Sequence, residues 1–159
     1  MKKLSFLVFL ILGSCNKFPI DPSTDSFIYS WFKTCAASSD YSTFCKVAQT
    51  ADVGLYSDNN YNSSPTLVIV SNSGIDAYLT KSGQSSNDLI GNSNAAKAFF
   101  ADYVLNGNIT KNEAIKTLGG KTVQVSNTAS GVALNGIAVQ KTQILSSGAP
   151  LLFINQVLF

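Results

Sequence analysis

The sequence predicts an α+β domain, with helices and one buried strand in its first two thirds and a strand-rich last third. Apolar residues recur at three- and four-residue spacing in the first two thirds of the chain, the period changes to two from Lys121 onward, and Asn135-Gly136 marks a tight hairpin. Asn-Gly tolerates positive φ at both central positions of a type I′ turn, the geometry that suits twisted antiparallel strands.

The first fifteen residues read as an export signal ahead of that domain. Lys2 and Lys3 precede the apolar run Leu4 to Leu12, and Gly13-Ser14-Cys15 follows. Basic residues hold the start of the chain in the cytoplasm, the apolar run enters the translocon, and small residues admit a peptidase. The run is well short of the roughly 20 apolar residues a membrane-crossing helix needs. Leu12-Gly13-Ser14-Cys15 resembles the bacterial lipobox, in which cleavage precedes the cysteine and diacylglycerol is attached to its thiol. The alternative is an ordinary secretory signal ending near a cysteine. In the lipobox reading residues 1–14 are removed, Cys15 carries lipid, residues 15–26 form a tether and residues 27–159 form the domain. Asn16 in place of aspartate favours the outer membrane, by analogy with Gram-negative lipoproteins. Pro19 and Pro22 keep the tether out of helix and strand.

Within the domain, Asp25 or Ser26 can cap a short helix carrying Phe27, Ile28, Trp31 and Phe32. Phe44, Val47, Ala48 and Ala51 place a second helix over about 42–51. The loop Asp58 to Pro65 leads into the β-branched run Thr66-Leu67-Val68-Ile69-Val70, a buried strand. Ser71-Asn72-Ser73 caps a helix through Ile75, Ala77, Tyr78 and Leu79, and Lys81 to Ser93 is too polar for anything but a surface excursion. Ser93 or Asn94 caps a stronger helix whose Ala96, Phe99, Phe100, Tyr103 and Val104 form a stripe. Thr110-Lys111-Asn112-Glu113 has capping-box form and predicts a brief helix through Ala114, Ile115 and Leu118, stopped by Gly119-Gly120. Val123 and Val125 then alternate as a strand. A two-residue turn at Asn135-Gly136 puts Val132, Leu134, Ile137 and Val139 on one hairpin face. Two last strands follow, at Ile144-Leu145 and Leu151 to Leu158.

Composition narrows the function. The net charge is only +2 and no Lys/Arg cluster appears, so nucleic acid is not expected as a partner. With Cys15 lipidated, Cys35 and Cys45 remain as an even pair, either bonded in an oxidising compartment or present as two small buried thiols. A disulfide between them would contribute about 3 kcal/mol in the chain-entropy description. The chain has no histidine, which removes catalytic cysteine chemistry of the Cys-His type. Ser30-Trp31-Phe32-Lys33 has Ser-x-x-Lys spacing but lacks the companion elements of penicillin-binding enzymes. The acidic residues are dispersed and form no evident glycosidase pair. Asp58-Asn59-Asn60-Tyr61-Asn62 begins like a calcium loop without its turn glycine or distal glutamate. No catalytic residue, metal or cofactor is therefore expected. The sequons at Asn62 and Asn108 matter only in a eukaryote. Tyr56, Tyr61 and Tyr78 offer apolar area with a polar tip for contact, although isolated surface tyrosines are the favoured reading.

In their order, the motifs over about 40–159 resemble the fasciclin-like domain family. Thr66 to Asn72 followed by Ile75 is similar to the family's first strand-to-helix motif, with Val70 where proline is usual. Thr117-Leu118-Gly119-Gly120, Leu134-Asn135-Gly136 and the closing run Leu151 to Leu158 follow in the family's sequence. The resemblance marks Thr66, Ser71, Asn72, Asp102, Tyr103, Gly107, Asn135, Gly136 and Asn155 as motif positions. The central Tyr-His falls on Asp102-Tyr103 and lacks its histidine, so integrin recognition through it is not carried over. Tyr103 is expected in the core, where its hydroxyl needs a partner, and Asn72 is the named candidate. The resemblance implies N-terminal helices packed on a mainly antiparallel β-sheet wedge. It also implies a non-enzymatic adhesion or binding module, held to a membrane by its N-terminal lipid and recognising an extracellular protein or polysaccharide through loops and the outer sheet face. The alternatives are a carrier of a small apolar ligand and an accessory subunit of a cell-envelope complex.

Overall fold

A computed structural model describes residues 34–35, 37–51, 65–107, 109–145 and 148–159. The export segment, Cys15, the tether, the helix expected over 27–32, the calcium-like loop and the Ser30-Lys33 pair lie outside the described residues, as do Tyr56 and Tyr61.

The centre of the molecule is a parallel pair of fully buried strands, β1 (Thr66–Val70) and β8 (Pro150–Ile154), in register from Leu67↔Leu151 to Val70↔Ile154. A strand covered on both faces has no alternation, which is why both read as continuous apolar runs. Burying each such Val, Leu or Ile stabilises by about 1.5–3 kcal/mol. β2 (Val104–Leu105) and β7 (Lys141–Ile144) flank the pair antiparallel, giving the order β2-β1-β8-β7. The second sheet is an antiparallel meander in the order β3-β4-β5-β6, built from β3 (Ala114–Lys116), β4 (Thr122–Thr128), β5 (Gly131–Leu134) and β6 (Ile137–Ala138). The two sheets meet where Leu105 bridges Thr117 and the Asn106 amide donates to the Lys116 carbonyl at 2.9 Å.

Among the described residues four α-helices pack on one another and contribute to the core shared with the first sheet: α1 (Ser42–Thr50), α2 (Asn72–Ser82), α3 (Ser86–Ile90) and α4 (Ser93–Ala101). Ser71 caps α2 by accepting from the Gly74 amide at 3.2 Å, and Gly83 closes that helix at φ 67°. Phe44 of α1 reaches Phe100 and Phe99 of α4, with ring centres 6.0 and 6.4 Å apart. Cys35 and Cys45 form a disulfide with Cα atoms 5.9 Å apart, both buried in the same core.

Several expectations are corrected. Residues 114–116 form β3, not a helix: Ile115 pairs with Val123, and the Val125 amide donates to the Glu113 carbonyl at 2.8 Å. Alternation buries Ile115 between exposed Ala114 and Lys116 while also pairing the edge of β4, which a helical turn would leave unpaired. The excursion after Lys81 contains α3, anchored by the single buried residue Leu89. The cap of α4 is Asn92, whose Oδ1 accepts from the amides of Asn94 and Ala95 at 3.0 and 3.2 Å. Tyr103 and Val104 lie beyond the end of that helix, and both are buried. β7 begins at Lys141, and Ile144 is exposed while Leu145 is buried. β8 ends at Ile154, so Asn155 to Leu158 continue outside the strand.

Candidate binding cleft

An aromatic series runs from the core to the surface. Buried Tyr103 meets Phe44 edge-on at 5.7 Å and stacks on Phe99 at 4.8 Å, and half-buried Phe99 in turn meets Tyr78 of α2 at 6.0 Å. Beyond Tyr78 the series opens into a cleft of about 220 Å³ between α2, α3, α4 and the C-terminal segment. Phe159 stands on its rim, 41% exposed.

The polar groups of the cleft are held by short-range contacts. Asp102 caps the end of α4, and its Oδ2 lies 2.7 Å from Lys121 Nζ. The same ammonium sits 4.5 Å above the Phe159 ring, a cation–π arrangement. Asp88 accepts from the Ser85 amide and hydroxyl at 2.7 and 2.8 Å, and these bonds hold its carboxyl below the ordinary carboxylate range. Gln84 completes the polar lining. Gly119 leaves room for Asp102: a Cβ there would fall 2.2 Å from Oδ1. On the other side of Tyr78 and Phe159 lies an open groove of about 720 Å³, walled by Ala77 and Tyr78 and floored by Val157 and Leu158, with Lys81 at its edge.

The motif positions divide between support and cleft. Thr66 Oγ1 donates to the Gly107 carbonyl at 2.8 Å, securing β1 beside β2, and Gly107 has φ 148°. The Tyr103 hydroxyl is not bonded to Asn72; it accepts from the Leu158 amide at 3.2 Å. Burial, only partly offset by that bond, raises the Tyr103 hydroxyl well above the ordinary tyrosine range. Asn72 instead ties the start of α2 to the start of α1: its Oδ1 accepts from the Thr43 amide at 2.9 Å and its Nδ2 donates to the Ser39 carbonyl at 2.8 Å. Asn135 and Gly136 have φ 50° and 80°, the expected turn. Asn135 also accepts from the Gln124 amide at 2.9 Å and donates to the Leu158 carbonyl at 3.2 Å, so the hairpin holds the C-terminal segment that edges the cleft. Asn155 is exposed, and its carbonyl closely approaches Gly74. Of the motif residues only Asp102 and Tyr103 line the cleft, together with Tyr78. Sequence reading misses Gln84, Lys121 and Phe159, which share no spacing and converge only through folding.

Among the described residues no group of three or more His, Cys, Asp or Glu side chains could hold a metal ion, and no helix is long and apolar enough to cross a membrane. No family model matches the sequence, and no curated protein is significantly similar to it. Among solved structures, the fold is similar to that of the FAS1 domain pair of the insect cell adhesion molecule fasciclin I. The TM-score is 0.52 and the identity 13%, over 79% of this chain and 46% of that one. The fold is FAS1-like. The match spans less than half of that two-domain chain, and at such identity the likeness speaks for architecture alone.

Proposed function

We propose that this chain is an exported, lipid-anchored, non-enzymatic binding module that takes its ligand at the cleft bounded by Tyr78, Asp102, Lys121 and Phe159. The observation that carries the reading is the FAS1-like fold, whose solved counterpart belongs to a cell adhesion molecule. The cleft chemistry agrees with it. Among the described residues no serine, cysteine or threonine lines the cleft, and Asp88, held ionised by Ser85, cannot serve as the raised-pKa acid that glycoside hydrolysis requires. A buried disulfide suits an oxidising compartment, and the Lys2-Lys3, Leu4–Leu12 and Cys15 pattern supplies the route there.

The carrier reading loses much of its motivation in the structure. Its Leu, Ile, Val and Phe side chains pack against one another in the core, and the apolar groove beside α2 is open rather than enclosed. The test is to immobilise the mature chain and challenge it with extracellular matrix proteins, polysaccharides and cell envelopes. Retention of at least one class, without turnover, is the expected result. Failure to retain any of them contradicts the reading.

A further inference from the structure

We propose that the cleft is a subsite for a neutral saccharide, with the adjoining groove receiving the next sugar units. This rests on the binding-module reading and names the chemistry of its ligand. Charge balance favours a neutral ligand. The ammonium within the cleft, Lys121, is paired with Asp102 at 2.7 Å and lies over Phe159, so an incoming anion meets the carboxylates of Asp102 and Asp88 beside it. An incoming cation meets Lys121 and, at the groove, Lys81. Each ion thus meets a like charge in the cleft besides any opposite one, such as Asp88, which among the described residues is bonded only to Ser85, and desolvating a poorly paired ion is costly. A neutral ligand incurs no such cost.

Aromatic rings here stand beside charged hydrogen-bonding groups. Tyr78 and Phe159 separate the cleft from the groove and line both, offering apolar surface of the kind that packs against the C–H face of a pyranose. Around them, carboxylate lone pairs on Asp102 and Asp88 accept from hydroxyls, the remaining Lys121 protons donate, and the Gln84 amide does both. Hydrogen bonds with one ionised partner are the stronger kind, and sugar hydroxyls can meet both donors and acceptors at once. The cleft, about 220 Å³, suits one sugar ring, and the groove of about 720 Å³ beyond the two aromatic residues has room for a short continuation. The site is also preorganised. Asp102 is fixed by the end of α4, by Lys121 and by the space above Gly119, and Phe159 follows Leu158, which the Tyr103 and Asn135 side chains bond on both sides.

The experiment probes the full chain on an array of neutral gluco-, galacto-, manno- and xylo-oligosaccharides, each beside its sulfated and uronic-acid counterpart, at low and high salt. Titration of the retained glycans into Phe159→Ala, Tyr78→Ala, Asp102→Asn and Gly119→Ala variants follows. Expected is retention of a neutral oligosaccharide with little salt dependence, because no ion pair forms across the interface. Affinity falls about tenfold or more on loss of either ring. It also falls in Asp102→Asn and in Gly119→Ala, which removes no cleft side chain but presses its Cβ on Asp102. Phe159 is exposed, so its replacement leaves the fold intact, and melting curves control for the half-buried Tyr78. Retention of charged glycans only, or neutral binding unchanged in all four variants, overturns the proposal. If matrix protein or envelopes are held while every neutral glycan fails, the saccharide subsite is wrong and the binding-module reading stands. If nothing is held, both fall.

Discussion

Tyr103 joins the core to the cleft, because it is buried against Phe44 and Phe99 while its hydroxyl receives the amide of Leu158 beside the cleft. In Tyr103→Phe the Leu158 N–H loses its partner, and the expected loss is about 1–3 kcal/mol in denaturant unfolding. The pH dependence has a definite sign. Burial raises the folded hydroxyl above its unfolded value, so the folded state keeps a proton that the unfolded chain releases. Stability is full below about pH 10 and declines as pH rises beyond it; Tyr103→Phe should show a shallower alkaline decline. Gly74 offers a second residue-scale test. A Cβ there would lie 2.6 Å from the Asn155 carbonyl oxygen, a backbone atom that cannot swing aside. Although alanine is the better helix former, Gly74→Ala should lose about 1–3 kcal/mol by overpacking, measured as a lower melting temperature. Neither contact is legible in the sequence. Tyr103 is separated from Leu158 by 55 positions, and Asn72, the expected partner, has its amide engaged at the start of α1.

At the scale of elements, legibility follows how much of the signal is local. β1 is readable because Pro65 and a β-branched run define it without reference to any neighbour. α1 and α2 are readable because their apolar spacing and, for α2, the Ser71 cap lie within the segment. The hairpin at Asn135-Gly136 is readable because two residues of special backbone conformation set its register. β3 is misread for the opposite reason: Thr110 to Glu113 has a helix-start pattern, but pairing with Val123 and burial of Ile115 override it through contacts across the chain. α3 is missed because one turn anchored by Leu89 leaves almost no periodic signal. The hairpin yields the element-scale prediction. Gly136 has φ 80° with open space around its missing Cβ, so Gly136→Ala tests conformation alone. It should cost about 1–2 kcal/mol, and amide exchange should quicken in β5 and β6 before it does in β1.

For the whole molecule, fold class and order of motifs are legible, whereas half of the cleft is not. Tyr78, Asp102 and Tyr103 stand out by type or motif, but Gln84, Lys121 and Phe159 are ordinary surface residues until α2, the turn after β3 and the C-terminal segment meet. The disulfide is a whole-molecule feature as well. It bonds Cys45 of α1 to Cys35 within the core shared with β1 and β8, and its reduction should lower stability by about 3 kcal/mol, seen as an earlier denaturation midpoint with added reductant. The proposed display of the domain outside the cytoplasm on a lipid at Cys15 is tested most directly by intact-mass analysis of the protein from fractionated host cells. Expected is a membrane-fraction species beginning at Cys15, with the added mass of a diacylglycerol-modified cysteine and an oxidised Cys35–Cys45 pair. An unprocessed chain beginning at Met1 in the soluble interior, with free thiols, would contradict it.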